Sequence, residues 1–206
     1  MKNLQLAIKH CAIAILAAGV SKRLGSPKQL LAYKGKNLLR HAVDTALQTE
    51  CQSVFVVLGA NIDLLKKELK DKPVIIIENK NWEEGMASSI RAALQNITAT
   101  ILRPDSVIFM VCDQPFVNSS LLLNLLATKH QTGLPIVASS YAGKMGTPAL
   151  FHKSFFPALM ELKGDKGAGK LISDNADKVA TVSFPQGITD IDTEEDYELL
   201  KKENDT

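Results

Sequence analysis

The chain has 206 residues, of which 46% are hydrophobic and 22% charged, and its formal net charge is +2 at pH 7. These values are typical of a globular protein, and the charge is too small to indicate nucleic-acid binding, since no basic cluster with interleaved aromatic residues accompanies it. The three cysteines are far apart, as in proteins of reducing compartments, and no stretch suits a signal peptide or a membrane span, so we expect a cytoplasmic protein without a membrane partner.

The length predicts one domain over residues 1–206 with a core at about residues 10–202, and its first element is a buried strand. Residues 12–17 form a continuous apolar run of the kind found in parallel strands. Residues 18–28 then bring two glycines, three cations (Lys22, Arg23 and Lys28) and no acid. Glycine lets backbone N–H groups approach an anion and the cations add charge, so this loop predicts phosphate binding, with an ordinary solvated turn as the alternative.

The spacing of the loop glycines excludes two common nucleotide-binding motifs. The residues VSKRL separate Gly19 from Gly25, which does not fit the dinucleotide fingerprint G-x-G-x-x-G. Gly25 is followed by Ser26 and Pro27, whereas a Walker A loop ends in G-K-[ST]. A different phosphate-binding loop is therefore predicted.

The next elements alternate between helices and strands. Apolar spacing predicts helices over residues 38–48 and 62–69 and strands over residues 53–59 and 74–79. This alternation predicts an α/β fold with a mostly parallel sheet and helices on both faces. The chemistry of such folds lies at the carboxyl ends of the strands.

Small polar residues stand at the start of the following helix, which begins near Met86. Gly85, Ser88 and Ser89 lie at or just before its first turns, while apolar residues recur at positions 90, 93, 94 and 97. A helix N-terminus of this kind binds anions, because its first N–H groups have no partner within the helix. Plain helix capping is the alternative, and the pattern leaves both open.

An acid ends the fourth predicted strand, which begins at residue 106. Asp113 stands five residues before the next helix start near Asn118, which makes it a poor helix cap. A carboxylate at the carboxyl end of a strand suits Mg²⁺, which proteins bind through one or two carboxylates together with phosphate oxygens. We therefore predict that Asp113 is a metal ligand.

The last third of the chain predicts further strands, a helix and two more acids. A strand over residues 134–141 and an apolar strand ending at residue 151 predict a small β-excursion over the pocket, and residues 179–184 predict the last strand. Thr193 and Asp196 form a capping box for a final helix. The box leaves Asp190 and Asp192 unexplained, although they alternate in an extended segment and so face the same way.

Four elements in this order resemble the molybdenum cofactor cytidylyltransferase-like branch of the MobA/MocA-like NTP transferases: LAAGVSKRLGSPK, EGMASSI, CDQP and DIDTEED. The first matches the signature LAAGxxxRxGxxK at Leu16, Ala17, Ala18, Gly19, Arg23, Gly25 and Lys28. The resemblance implies a single-domain, Rossmann-like αβα sandwich of three layers. It extends from residue 12 to about residue 200.

The resemblance also implies roles for individual residues. Lys28, Arg23 and Asp113 would be catalytic. The nucleotide would be bound by Leu16, Ala17, Ala18, Gly19, Arg23, Gly25, Lys28, Gly85 and Ser88, and the acceptor by Gln114, Gly146, Thr147 and Lys170. Mg²⁺ would be held by Asp113 and Asp192, with Asp190 as the second choice to Asp192. The chain departs from the family at Thr147, where relatives often carry histidine, and at Gly169, where many carry arginine.

The function that the resemblance implies is transfer of CMP from CTP to the phosphate of a molybdopterin-type acceptor, with release of pyrophosphate. Two transferase alternatives remain, namely a GTP-using molybdopterin guanylyltransferase and an enzyme for a sugar phosphate or methylerythritol phosphate. Guanylyl-transferring relatives typically read Leu-Ala-Gly-Gly where this chain has Leu16-Ala17-Ala18-Gly19, which favours CTP. The non-enzymatic alternative is a chaperone that carries the cofactor to a molybdenum hydroxylase apoenzyme.

Overall fold

A seven-stranded sheet forms the centre of the protein in the computed structural model, which describes residues 2–21, 23–101 and 103–204. The strands are β1 (Cys11–Leu16), β2 (Ala32–Tyr33), β3 (Lys36–Asn37), β4 (Ser53–Leu58), β5 (Ile75–Glu78), β6 (Ser106–Val111), β7 (Ile136–Tyr141), β8 (Lys144–His152) and β9 (Val179–Ser183). The order in the sheet is β5-β4-β1-β6-β8-β7-β9, and only β8 runs antiparallel to its neighbours. β2 and β3 form a separate small hairpin.

Helices cover both faces of this sheet, which confirms the predicted three-layer α/β fold. They are α1 (Lys2–Lys9), α2 (Leu38–Leu47), α3 (Ile62–Lys67), α4 (Met86–Ala99), α5 (Ser119–Thr132), α6 (Phe156–Met160), α7 (Gly169–Asp174) and α8 (Glu194–Asn204). None of the helices in the described part of the chain is long and apolar enough to cross a membrane. The apolar pattern of the sequence did not indicate α1, α6 or α7.

Strand β1 lies in the middle of the sheet, and its two faces belong to two different cores. Every residue of β1 is buried, because α2 and α5 cover one face and α4 the other. Ile13 and Ile15 pack in the first core, while Ala14 packs in the second, which contains the predicted apolar face of α4. A strand buried on both faces reads as a continuous apolar run, and this explains residues 12–17.

The predicted β-excursion is a hairpin of β7 and β8 that belongs to the main sheet. β8 pairs with β6 only from Ala149 to His152, so the tip of the hairpin extends beyond the neighbouring strand. Its turn, Ala142-Gly143, has positive φ angles of 49° and 72°, as in the tight turns that join antiparallel strands. This tip lies beside the pocket described below.

The segment before α8 lies against the end of β6. The Ile191 N–H donates to the Asp113 carbonyl oxygen at 3.0 Å. The predicted capping box is confirmed, since the Thr193 N–H donates to Asp196 Oδ2 at 2.8 Å and the Asp196 N–H donates to Thr193 Oγ1 at 3.2 Å. This cap and the backbone bond to residue 113 bring residues 190–192 to the carboxyl edge of the sheet.

Candidate active site

The loop after β1 is shaped by a buried glutamine that the sequence analysis did not single out. The Gln29 Nε2 donates to the carbonyl oxygens of Ala17 and Gly19, at 3.0 and 2.9 Å. The Lys28 N–H donates to Ser21 Oγ at 3.0 Å, which closes the loop. Lys22, one of its three cations, lies outside the described residues.

Two backbone N–H groups of this loop are available for a ligand. Within the described residues no hydrogen bond joins the N–H of Ala18 or Gly19 to another group of the protein. No atom would come within 4 Å of a Cβ at Gly19, so the space beside it is open. The predicted nucleotide-binding residue Gly25 also faces open space, with a φ of 66°.

Lys28 brings two of the three predicted metal carboxylates together. Its Nζ donates to Asp113 Oδ2 and, at 2.9 Å, to Asp192 Oδ1. Arg23 approaches from the other side and donates to Asp192 Oδ2 at 2.8 Å. Asp113 and Asp192 follow Lys28 in the sequence by 85 and 164 positions, and all three side chains meet in the structure. They meet where the carboxyl ends of β1 and β6 lie side by side.

The charges of this cluster stabilise one another. Burial lowers the pKa of the Lys28 ammonium, but the charge of Asp113 and the hydrogen bonds to Asp113 and Asp192 outweigh burial and raise the pKa above its usual value. The hydrogen bond from Lys28 holds the pKa of the Asp192 carboxyl below its usual range. Both groups are therefore fully charged at neutral pH.

Asp190 stands in a different environment from Asp192. Burial and the charge of Asp113 raise the pKa of Asp190 to about 6, and the neighbouring Gln114 side chain opposes the rise. No hydrogen bond or ion pair joins Asp190 to Lys28 among the described residues. The structure thus brings Asp192 rather than Asp190 into contact with Lys28. Which of the two carboxylates holds a metal stays a prediction.

The carboxylates fit a divalent cation. Asp113 Oδ1 is buried and has no hydrogen-bond partner, whereas buried oxygens normally have one, so this atom has a free site for a ligand. The described residues contain no cluster of three or more His, Cys, Asp or Glu able to hold a metal by themselves. Mg²⁺ needs only one or two carboxylates when phosphate oxygens complete its ligand set.

The cavity beside the loop has a volume of about 670 Å³, which lies within the range of roughly 300–1,000 Å³ that ligand pockets span. Leu16, Ala18, Gly19 and Trp82 are among the residues that line it. Lys28 and the carboxylates lie outside its lining, so the loop itself connects the cavity with the charged cluster. The volume leaves room for either a purine or a pyrimidine.

The start of α4 makes several hydrogen bonds within the protein. The Ser88 hydroxyl donates to the Gly85 carbonyl oxygen at 2.8 Å and accepts from Asn79 Nδ2 at 2.8 Å. The Ala87 N–H donates to the Gly164 carbonyl oxygen at 3.1 Å. Gly85 lines the cavity, but Ser89 and not Ser88 accompanies it. The two predicted nucleotide-binding residues therefore differ in their access to a ligand.

A second, smaller cavity of about 240 Å³ adjoins the first and shares Leu16, Met86 and Asp165 with it. Of the predicted acceptor-binding residues, Gly146 and Thr147 line this cavity. The buried Gln114 lies beside it, where its Oε1 accepts a hydrogen bond from Thr147 Oγ1 at 3.2 Å.

Lys170 is the predicted acceptor-binding residue that the structure does not bring to this cavity. It lies on α7, and its Nζ forms an exposed ion pair with Asp174 at 2.7 Å. Gly169 lines the cavity instead. The charge that many relatives place at position 169 is thus not supplied to the cavity wall by Lys170.

A family model of the MobA-like NTP transferase domain matches residues 13–179 of the chain. Nicotine blue oxidoreductase of Paenarthrobacter nicotinovorans is 31% identical over 198 residues, which cover 90% of this chain and 94% of that protein. Purine catabolism protein PucB of Bacillus subtilis (strain 168) is 27% identical over 201 residues, which cover 91% and 94%.

Solved structures show the same architecture. The crystal structure of Rv0371c from Mycobacterium tuberculosis H37Rv has a TM-score of 0.80 and 29% identity, covering 94% of this chain and 98% of that one. A structure of Rv0371c in complex with manganese has a TM-score of 0.78 and 26% identity, covering 94% and 99%.

Proposed function

We propose a specific reaction for this chain from the premise that it belongs to the MobA-like NTP transferase family, whose model matches residues 13–179. The reaction is transfer of CMP from CTP to the phosphate of a molybdopterin-type acceptor, with release of pyrophosphate. Nucleotidyl transfer follows from the family. The cytosine base and the molybdopterin acceptor are supported by the resemblance of the four sequence elements and by Ala18 in the first loop.

The observation that carries the proposal is the contact of Lys28 with Asp113 and Asp192 beside the loop. An acceptor phosphate is already an anion, so it needs no general base to attack the α-phosphorus. It needs in-line positioning and neutralisation of two like-charged reactants. A cluster with two cations, two carboxylates and free backbone N–H groups supplies these requirements.

Each group has a distinct task in this reaction. The N–H groups of Ala18 and Gly19 donate to triphosphate oxygens, and Arg23 and Lys28 neutralise the charge on the triphosphate and the leaving pyrophosphate. Asp113 and Asp192 would hold Mg²⁺, which when bound neutralises oxygens of both reactants. Lys28 then exchanges its carboxylate partners for phosphate oxygens. The 670 Å³ cavity holds the nucleoside.

The test is to incubate the pure protein with each nucleoside triphosphate and Mg²⁺, with and without molybdopterin, and to measure pyrophosphate. We expect release with CTP that depends on molybdopterin. Pyrophosphate release with GTP and molybdopterin but not with CTP would identify a guanylyltransferase. Release that requires a sugar phosphate or methylerythritol phosphate would show that this compound, and not molybdopterin, is the acceptor. Retention of molybdopterin on gel filtration without turnover of any triphosphate would indicate a carrier.

The name of the Paenarthrobacter relative states an oxidoreductase activity, and the same preparations can be assayed for it. A suitable measurement offers a reduced nicotinamide cofactor as electron donor to nicotine blue and follows the absorbance of both. We expect no oxidation above background, since the loop after β1 lacks the dinucleotide fingerprint. Cofactor oxidation without any pyrophosphate release would contradict the proposed transfer.

A further inference from the structure

Tyr141, at the end of β7, is anchored in a fixed position beside the smaller cavity. Its ring makes an edge contact with Phe184, with centroids 6.2 Å apart and planes at 88°. A Cβ at Gly187 would lie 2.4 Å from Tyr141 Cδ1, and a Cβ at Gly146 would lie 2.3 Å from its hydroxyl oxygen. The phenol thus occupies space that is open only because both neighbouring positions are glycine.

The hydroxyl of Tyr141 belongs to a polar group near the carboxylates. Burial raises the pKa of the phenol, and the neighbouring Gln114 and Thr147 side chains oppose this rise. The charges of Asp190 and Asp113 raise the pKa further. The phenol therefore keeps its proton at neutral pH and lies close to the carboxylates that would hold the metal.

The wall of the smaller cavity is otherwise mostly apolar and contains no Lys, Arg or His among the described residues. Tyr141, Thr147 and Asp165 are its side chains with polar groups, and an ionised carboxylate accepts hydrogen bonds but donates none. A phosphorylated ligand that enters this cavity can therefore receive hydrogen bonds from side chains only through two neutral hydroxyls. Thr147 already donates its proton to Gln114.

We propose that the Tyr141 hydroxyl donates a hydrogen bond to the phosphate of the acceptor and so selects phosphorylated molecules in the smaller cavity. This inference rests on the proposed function in one respect, namely that the acceptor carries a phosphate. Tyr141 supplies the direction of approach, because its ring cannot shift toward Gly146 or Gly187. A neutral donor in this place binds the phosphate without competing with Lys28 and Arg23 for the triphosphate.

The test uses phenyl phosphate, a phosphomonoester on an apolar ring, as a probe of acceptor binding. Its affinity is measured by calorimetry in the presence of Mg²⁺ and α,β-methylene-CTP, which cannot transfer CMP. We expect Tyr141→Phe to weaken phenyl phosphate binding roughly 5- to 10-fold, the effect of one neutral hydrogen bond. The fluorescence of Trp82, the single tryptophan and a lining residue of the larger cavity, should show unchanged binding of α,β-methylene-CTP.

Tyr197→Phe is the matched control, because the Tyr197 hydroxyl donates to the Ala32 carbonyl oxygen at 3.1 Å, outside both cavities. It should leave both affinities unchanged. A purely structural role for Tyr141 would instead change the nucleotide affinity and the melting temperature together with the probe affinity. Unchanged phenyl phosphate binding in Tyr141→Phe, or no binding by the parent protein, would overturn the inference.

Gly146→Ala gives a second, independent reading, since Gly146 has no positive φ and its Cβ would meet the Tyr141 hydroxyl. We expect Gly146→Ala to weaken phenyl phosphate binding when Tyr141 is present. In the Tyr141→Phe background the further loss of affinity should be much smaller, because the oxygen that the new Cβ would meet is absent. Equal effects in both backgrounds would contradict the proposed role. Loss of probe binding in Tyr141→Phe without any pyrophosphate release by the parent protein would leave Tyr141 assigned and reject only the proposed reaction.

Discussion

Strand β6 has an aspartate just beyond each end, and the two aspartates make different ion pairs. Asp105, before the strand, pairs with Lys153 at 2.5 Å, and their side chains are 45% and 59% exposed. Asp113, after the strand, pairs with Lys28, and their side chains are 17% and 18% exposed. The same two residue types thus form a surface pair at one edge of the sheet and a shielded pair at the other.

The difference comes from what surrounds each pair. At the first edge Lys153 follows β8 directly, and its N–H donates to the Asp105 carbonyl oxygen at 2.8 Å, so the pair reinforces a contact between neighbouring strands. At the carboxyl edge the loop after β1 and the segment before α8 both close over Asp113. Shielding from water strengthens the attraction between Asp113 and Lys28, and it also raises the cost of desolvating their charges. Only this second pair therefore places partly buried charges at the edge where a ligand can bind.

The largest expected effect separates these two edges by activity. Asp113→Asn and Lys28→Ala should each lower triphosphate turnover by roughly 10²- to 10³-fold, because each removes charge next to the reacting phosphates. Asp105→Asn is the matched control and should retain the parent rate. The measurement is the initial rate of pyrophosphate release, with melting temperatures to confirm folding. Parent-like turnover in Lys28→Ala would remove Lys28 from the reaction.

The second prediction concerns base choice at the carboxyl edge. Ala18 places a methyl group in the wall of the nucleotide cavity, and a packed methyl group rejects a larger base by steric cost. We expect kcat/KM for CTP to exceed that for GTP by about 10-fold or more, and Ala18→Gly to narrow the gap. The cavity as a whole is large enough for a purine. The ratio of the two kcat/KM values therefore reports the steric effect of the Ala18 methyl group and not the total volume of the cavity. A parent preference for GTP would reject cytidylyl transfer but not nucleotidyl transfer.

The third prediction uses the ammonium that bridges Asp113 and Asp192. Lys28→Met should strengthen Mn²⁺ binding in the absence of nucleotide by roughly 3- to 10-fold, because a metal ion no longer has to displace a cation from both carboxylates. Electron paramagnetic resonance of free Mn²⁺ gives the affinity directly. Lys153→Met, at the opposite edge, is the control and should behave as the parent protein. Weaker Mn²⁺ binding in Lys28→Met would mean that the metal binds elsewhere.

The smallest effect is expected at the exposed edge. The hydrogen bond from Lys153 holds the pKa of Asp105 below its usual value of 3.8, so the pair stabilises the protein above that pH and its contribution is lost as the pH falls through the lowered pKa. Asp105→Asn should lower the free energy of unfolding by about 0.2–1 kcal/mol at pH 7. Denaturant-induced unfolding of both proteins at pH 7 and in strong acid tests this pH dependence. The difference in the free energy of unfolding should be present at pH 7 and should vanish in strong acid.

Most of the strands and the longer helices α2, α4 and α8 could be predicted from the sequence because their signals are local. The apolar run of β1, the apolar face of α4 and the capping box at Thr193 each follow from spacing within a few residues. Such patterns predicted the three-layer α/β fold and the carboxyl edge as the place of chemistry. The glycines and cations of the first loop are equally local signals, and they indicated phosphate binding.

Only the tertiary structure decided which side chains meet. Lys28 contacts carboxylates that lie 85 and 164 positions away in the sequence. A periodic pattern within a few residues cannot predict a contact over such a separation. The same holds for the buried Gln29 that shapes the loop and for the place of Tyr141 between two glycines. Ser88, by contrast, has a sequence that suits an anion site, but packing directs its hydroxyl to Gly85 and Asn79. Contacts between distant segments depend on how the helices pack on the sheet. The sequence therefore predicts at which edge of the sheet the site lies, but not which side chains contact one another there.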